Sequence, residues 1–213
     1  MPPIRRLAPL LALSVLTGCA NPLERPEAPA AWRLAPGASV ATSTSEALPF
    51  TLQVARMQTA AGLDSEQIAY RRSAYRLDYY TRSRWASPPA DMLAENLARA
   101  LEDAKLYQVV LGPETRLPAD LRLLTELTAL EHVIKGGSAS QDSEVRLALR
   151  IKLIDTDQAR VLASGSIEVR RPAFSQDAQG AVEALNEAAR EAFERVIVFC
   201  MQHTPAPGGS HAD

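Results

Sequence analysis

The alternation of apolar and polar residues between positions 145 and 153 constrains the fold of this chain more than any other feature. Apolar side chains take every second position there, and basic side chains occupy most of the positions between them. A period of two is typical of a strand with one buried face and one solvated face. A turn sequence follows at residues 155–158, and Val161–Val169 is a second candidate strand. We therefore expect these two runs to form a β-hairpin.

Two other segments have helical spacing. Ser87-Pro88-Pro89 predicts a helix start, with serine as N-cap and proline at the first helical position. Apolar residues then recur at helical spacing up to Ala104, and again between Val182 and Val196. The predicted order is strands, one helix, several strands and a last helix. This order predicts an α+β fold: a two-layer domain with a mainly antiparallel sheet and two helices packed on one face.

The first nineteen residues have the pattern of an export signal. Two arginines precede an apolar stretch from Leu7 to Leu16, which is too short to span a membrane. The stretch ends in Leu16-Thr17-Gly18-Cys19, which resembles the bacterial lipobox. We therefore expect residues 1–18 to be removed and Cys19 to carry covalent diacylglycerol and an N-acyl chain. The residue after Cys19 is Ala20 rather than aspartate, which favours the periplasmic leaflet of the outer membrane.

Residues 19–49 are predicted to be the lipidated cysteine followed by a proline-rich tether, since they have no apolar periodicity. A fully extended spacer of this length would hold the domain up to ~90 Å from the bilayer. Trp32 and Leu34 either dock on the domain as a short edge segment or belong to the solvated spacer. The domain itself is expected over residues 50–202, and a disordered tail over 203–213.

Composition and motifs argue against catalysis and against several kinds of site. The net charge of −2 gives no general attraction to nucleic acid. Two cysteines and three histidines lie far apart, so we expect no metal site and no cofactor beyond the acyl groups. His132 is expected to be structural or solvated, and Cys200 to be a buried, inert thiol. The Asp155-x-Asp157 pair is interpreted as turn chemistry rather than as a cation site. The chain is therefore predicted not to be an enzyme.

One segment has an unusual composition. Residues 70–85 hold four of the five tyrosines and five arginines but only one acidic residue. If they form a regular strand, one face carries the set Arg76, Asp78, Tyr80, Arg82 and Arg84. Exposed tyrosine and arginine are enriched at the energetic centres of interfaces. We therefore predict a partner-binding surface that consists of Tyr80, Arg76, Arg82 and Arg84; the alternative is an ordinary solvated strand face.

Several segments together carry a resemblance to a known family. They are Gly62–Arg71, Tyr79-Tyr80 with Arg84-Trp85, Pro88–Met92, Thr125–Leu127 and the strand from Val145 to Ile154. Over residues 50–200 the chain resembles the ABC-type transport auxiliary lipoproteins, of the paraquat-inducible protein C type. Many members begin the mature domain with a tyrosine-rich strand, and the counterpart here is Trp32-Arg33-Leu34.

The resemblance implies an outer-membrane lipoprotein on the periplasmic side that acts with an ABC transporter (permease and ATPase) and an MCE-domain protein. Such systems move phospholipid or other apolar molecules between membranes, and the family offers no catalytic residues. We therefore expect a non-catalytic docking adaptor. The alternatives are a lipoprotein chaperone or partner of an outer-membrane β-barrel assembly, and a direct periplasmic lipid carrier that itself binds a lipid ligand.

Overall fold

A computed structural model describes residues 28–37, 46–135 and 143–206 of the chain. The predicted signal peptide, Cys19, much of the predicted tether and most of the predicted tail lie outside these residues. Within the described part, the strands are β1 (Ala30–Trp32), β2 (Leu48–Val54), β3 (Gln58–Thr59), β4 (Gln67–Ser73), β5 (Arg76–Trp85), β6 (Tyr107–Leu111), β7 (Leu121–Ile134), β8 (Ser143–Asp155) and β9 (Arg160–Pro172). The helices are α1 (Pro89–Asp103), between β5 and β6, and α2 (Ala178–His203), after β9.

Strand β7 lies at the centre of the sheet. β8 pairs with it in antiparallel orientation along its length, and β9 pairs with the far edge of β8. On the other edge of β7, strands β2, β3 and β4 run parallel to its beginning, middle and end in turn. β6 lies beside β2, while β5 and then β1 lie beyond β4. The predicted hairpin of β8 and β9 is confirmed, and the long ladders of this mixed sheet are antiparallel.

A β-bulge at Thr128 interrupts the alternation of β7. The step from Leu127 to Ala129 on β7 faces the single step from Leu149 to Ala148 on β8, so β7 holds one extra residue. The Thr128 hydroxyl donates a hydrogen bond to a main-chain carbonyl of β8 at 3.2 Å. Because side chains alternate along a strand, one extra residue exchanges the inward and outward positions. Odd-numbered residues therefore face the core before the bulge, and even-numbered residues face it afterwards.

The two helices and the sheet form two layers. α2 packs against β8 and β9, α1 packs against β2 and β6, and the helices contact each other. The largest fully buried side chains come from both layers: Trp85, Phe193, Leu52, Ile68, Leu93, Leu97, Leu101, Leu121, Leu123, Leu127, Leu147 and Leu149. The predicted two-layer α+β fold is confirmed. Within the described residues, neither helix combines the length and apolar character that a membrane span requires.

The helices begin in different ways. Proline stands at the start of α1 as predicted, but the N-cap is Pro88 rather than Ser87, and no side chain in the described part of the chain caps the helix. The two consecutive prolines fix the extended backbone just before the helix, which moves the cap one position along. α2 begins after Asp177, whose carboxylate accepts a hydrogen bond from the Gly180 amide at 2.9 Å.

The segment that contains Trp32 and Leu34 packs on the domain, which decides between the two alternatives for it. β1 pairs in parallel with β5, and Leu34 is only 2% exposed within the core. The segment then crosses between the helices: Asn96 of α1 donates to the Leu34 carbonyl at 3.0 Å, and Asn186 of α2 accepts from the Ala35 amide at 2.6 Å. This segment lies within the range predicted as tether, but it is part of the folded domain.

Leu34 should accordingly contribute to stability as a core residue does. We expect Leu34→Ala to lower the free energy of unfolding by about 2–4 kcal/mol, since it removes a fully buried side chain. Urea unfolding followed by circular dichroism measures this change.

The matched control is Leu117→Ala, because Leu117 is 63% exposed. It should change the free energy of unfolding by less than about 0.5 kcal/mol. Equal stabilities of the two variants would show that the segment around Leu34 is not docked on the domain.

Candidate functional site

The structure divides the predicted partner-binding set. Arg76 begins β5 next to the turn at residues 74–75, while Arg82 and Arg84 lie near its other end. Arg82 lies six positions after Arg76 along the strand, which corresponds to ~20 Å. Tyr80 lies between them but is turned toward the core. The four residues therefore do not form one continuous patch.

Tyr80 does not share an exposed face with the arginines, so that part of the sequence interpretation is wrong. Its hydroxyl lies 2.7 Å from Nδ1 of the buried His132, and its ring lies 4.8 Å from that of Tyr70. The reason is irregular pairing between β4 and β5. Gln67 pairs with Arg84 and Ala69 pairs with Tyr79, so two steps along β4 correspond to five steps along β5. The side chains of β5 therefore do not simply alternate between the two faces of the sheet.

His132 is the buried polar centre of this region. It is fully buried on β7, after the bulge, on the face that the helices cover. Burial lowers the pKa of His132 to about 4, because charging the imidazole inside the core costs solvation energy. Asp177 at the start of α2 opposes this shift only weakly. His132 is therefore a neutral, structural side chain at ordinary pH.

The hydrogen bonds of Tyr80 indicate which nitrogen of His132 carries the proton. The Tyr80 hydroxyl donates to the Gln176 carbonyl at 3.4 Å, which leaves its oxygen free to accept from Nδ1 of His132. Nε2 of His132 is buried and has no hydrogen-bond partner among the described residues. A proton on Nδ1 leaves an unpaired acceptor at Nε2, whereas a proton on Nε2 would leave a buried, unpaired donor. We therefore assign the proton to Nδ1.

The arginines of β5 remain at the surface. Arg76 pairs with Asp78 at 2.9 Å, and Arg84 pairs with Glu66. Exposed pairs of this kind contribute only about 0–1 kcal/mol, so they exchange readily for other partners. Arg82 is exposed, and within the described residues it makes no hydrogen bond or ion pair. Arg82 and Arg84 are therefore available cations near the edge of the sheet.

The sheet face opposite the helices is covered by ion pairs rather than by apolar residues. Arg146 bridges Glu131 at 3.3 Å and Glu168 at 2.9 Å, and Arg71 lies 3.2 Å from the same oxygen of Glu131 that Arg146 contacts. Hydrogen bonds from Arg146 and Arg170 lower the pKa of Glu168 to about 2. These neighbouring charges neutralise one another. The network of ion pairs therefore forms a polar, solvated face of the sheet.

An open groove of about 870 Å³ lies where β7 begins, at the opposite end of the sheet from the turn at residues 74–75. Arg56 pairs with Glu114 across it at 2.8 Å, while Arg116 and Arg122 line it without an ion pair among the described residues. Asp157 also lines this groove. Its neighbour Asp155 accepts a hydrogen bond from the Gln158 amide at 3.0 Å, which is the predicted turn chemistry.

The described residues contain no cluster of three or more histidine, cysteine or acidic side chains that could hold a metal ion. Cys200 is fully buried, as predicted. Burial raises the pKa of its thiol to about 12, and a hydrogen bond from Tyr107 offsets this only in part. A thiol with so high a pKa is protonated and unreactive at ordinary pH.

Comparisons with known proteins agree with this architecture. The profile of a family described as an ABC-type transport auxiliary lipoprotein component matches residues 32–196. The crystal structure of protein XCC0632 from Xanthomonas campestris is 26% identical, covers 81% of this chain and 96% of its own, and has a TM-score of 0.71. A crystal structure of an uncharacterized protein covers 81% of this chain and 99% of its own, at 15% identity and a TM-score of 0.64. No curated protein matches the chain.

The pairing of Tyr80 with His132 escaped the sequence interpretation, although a signal for it exists. Leu130, His132 and Ile134 share a period of two, which places the histidine on an apolar face. The preceding run of β7 has the opposite parity, and only a bulge between the two runs reconciles them.

The lowered pKa of His132 makes stability depend on pH in a defined window. Between its ordinary pKa of 6.5 and its folded value of about 4, the unfolded chain binds a proton that the folded chain does not. The free energy of unfolding is therefore not reduced by His132 at pH values well above 6.5, and it falls as the pH is lowered through the window from 6.5 to about 4. From about pH 7.5 to about pH 5, we expect a loss of ~2 kcal/mol in the free energy of unfolding, measured with urea.

His132→Gln supplies the matched comparison, because glutamine forms hydrogen bonds but does not titrate. This variant should be less stable at neutral pH, yet its stability should change little across the same window. The carboxylates with lowered pKa, such as Glu168, lose their contribution only at more acidic pH. Parallel pH profiles for the wild type and His132→Gln would contradict the assignment of a buried, neutral histidine.

Proposed function

Since this chain belongs to the ABC-type transport auxiliary lipoprotein components, we propose that it is a non-catalytic docking adaptor for transport between two membranes. Its transporter would be an ABC permease and ATPase that act with an MCE-domain protein on phospholipid or other apolar molecules. Acyl groups on Cys19 would anchor the adaptor in the periplasmic leaflet of the outer membrane. The match over residues 32–196, which spans nearly the whole described domain, carries this proposal.

The position of the folded domain supports a close anchor. The structure describes the chain from residue 28, two residues before β1. Residues 20–27 separate residue 28 from Cys19. Nine extended residues reach at most ~32 Å, about a third of the distance that a tether up to residue 49 would allow. A triply acylated cysteine binds a bilayer far more firmly than one chain does. The adaptor would therefore work close to the membrane surface.

The filled interior favours an adaptor over a lipid carrier. The space between sheet and helices is occupied by the domain's own side chains, such as Phe193, Leu97 and Leu101, each about 1% exposed or less. The groove at the start of β7 mixes charged and amide side chains such as Arg122 and Gln53 with apolar ones such as Leu117. A lipid tail would require a continuous apolar lining. Surface contacts are thus the means by which this domain would serve a transporter.

Arg82 and Arg84 are the proposed docking residues for an acidic surface of the MCE-domain partner. Arg82 makes no ion pair within the described residues, and Arg84 is held only by a surface pair with Glu66. A tethered adaptor searches only a thin layer next to its membrane, which raises its effective concentration there. Weak electrostatic contacts would therefore suffice for docking.

The anchor is tested by Cys19→Ala, which removes the only thiol that could be acylated near the signal. We expect this variant to move from the membrane fraction to the soluble periplasmic fraction, as measured by immunoblotting after fractionation. Density-gradient separation of the two membranes tests the outer-membrane assignment for the wild type.

Cys200→Ala is the control, since it removes the other cysteine, which is buried in α2. It should stay with the membranes. If Cys19→Ala also stays there, the lipid anchor is not the means of attachment.

The docking surface is tested by the double variant Arg82→Glu and Arg84→Glu. Reversal of two exposed charges should reduce recovery of the MCE-domain partner in a pull-down from detergent-solubilised membranes. The thermal unfolding temperature should be almost unchanged, because exposed ion pairs contribute little to stability.

The matched control is Arg116→Glu with Arg122→Glu, which reverses two exposed charges in the groove at the opposite end of the sheet. This variant should retain the partner. Loss of the partner with the groove variant alone would assign docking to the groove and reject the β5 surface.

A further inference from the structure

We infer that the turn between β4 and β5, which carries Tyr75, contacts the surface of the phospholipid bilayer in which the protein is anchored. This inference rests on the proposed lipid anchor at Cys19. It names a second, non-covalent contact with the membrane, and it defines which end of the domain faces the bilayer. We call residues 72–77 the hairpin tip.

The hairpin tip projects from one end of the sheet. The pairing register places Arg71, Val133, Glu144 and Pro172 side by side across β4, β7, β8 and β9. β4 and β5 continue beyond this row to the turn at residues 74–75. The hairpin tip is therefore an outermost feature of this end of the described domain.

Apolar side chains are exposed at this end. Tyr75 is fully exposed and Leu77 is 38% exposed, and Phe174, which follows β9 at the same end, is 61% exposed. The loop that holds Phe174 is fixed against α2, because a Cβ atom at Gly180 would lie only 2.2 Å from the Ser175 nitrogen. Several exposed apolar side chains at one end of a domain are typical of a surface that binds a protein or a membrane.

The direction of β1 indicates what that surface is. β1 runs parallel to β5, with Ala30 beside Ser83 and Trp32 beside Trp85. The beginning of β1 therefore points along β5 toward the hairpin tip, so the described chain enters β1 from that side. By the same register, residue 28 is level with the region of Thr81, about six residues or ~20 Å from Tyr75.

The length of the tether allows the bilayer to lie at the hairpin tip. Cys19 lies at most ~32 Å from residue 28, which exceeds the ~20 Å from the level of residue 28 to Tyr75. The groove lies at the opposite end of β7, whose fourteen residues span ~46 Å. With the chain approaching from the tip side, the tip faces the lipid and the groove faces away.

The side chains of the tip suit a phospholipid interface. Tyrosine is enriched at the level of lipid headgroups, where its ring is apolar and its hydroxyl stays solvated. Arg72 and Arg76 flank Tyr75, and the long arginine stems allow the charge to reach phosphate groups while the stems lie along apolar surface. Arg76 would then belong to the membrane contact rather than to the partner-binding set.

The experiment uses the full-length lipidated protein in vesicles of phosphatidylethanolamine and phosphatidylglycerol. Tyr75→Cys and Leu117→Cys each place one environment-sensitive fluorophore at an exposed position, the first on the tip and the second in the groove. Cys200 is fully buried and stays unlabelled in the folded protein. We expect the label at 75 to shift its emission to the blue and to lose emission to quenchers on the acyl chains. The label at 117 should respond only to iodide in the water.

The outcomes separate this inference from the proposed anchor. Flotation of the vesicles reports the anchor independently of either label, and a protein that does not float overturns the anchor and the inference together. A floating protein whose labels at 75 and 117 are equally accessible to iodide overturns the inference alone. A label at 75 that is shielded only after the transporter is added would assign the tip to a protein partner and would likewise overturn it.

Discussion

The pairing of β7 with strands on both of its edges is the constraint on which the rest of the structure depends. One edge carries the long antiparallel ladder with β8, and the other carries three short parallel segments in succession. Both edges of β7 are thus filled by main-chain hydrogen bonds, so its side chains divide between a core face and a solvated face. The bulge at Thr128 makes this division possible along all fourteen residues, since it exchanges the inward and outward positions midway.

The same arrangement gives the domain two different ends. Where β7 ends, the hairpin tip projects with Tyr75, and the beginning of β1 points toward this end. Where β7 begins, a polar groove opens with Arg122 on its wall. Between the two ends, ion pairs such as Arg146 with Glu131 neutralise the open sheet face. In the proposed role, the docking residues Arg82 and Arg84 lie ~20 Å or more along β5 from Tyr75, so the bilayer and the transporter would meet different surfaces.

Local patterns were sufficient for the elements that lie within one stretch of chain. The hairpin of β8 and β9 and the proline at the start of α1 follow from period-two alternation and from backbone restriction, and both are confirmed. Interpretation failed where a contact joins distant parts of the chain. Tyr80 meets His132 across fifty-two positions, and Leu34 meets Asn96 across sixty-two. The periodicity of residues 130–134 places His132 on an apolar face, but no periodicity within a segment identifies its distant partner.

The sequence by itself determined the α+β class, the two amphipathic helices, the buried thiol of Cys200 and membership of the family. Only the tertiary structure decided that Trp32 and Leu34 belong to the domain and that Tyr80 turns inward. The physical reason is that burial on one face of a single element leaves a periodic record in its own residues. Register irregularities and long-range docking depend instead on which surfaces the folded core leaves uncovered, and a linear pattern does not record them.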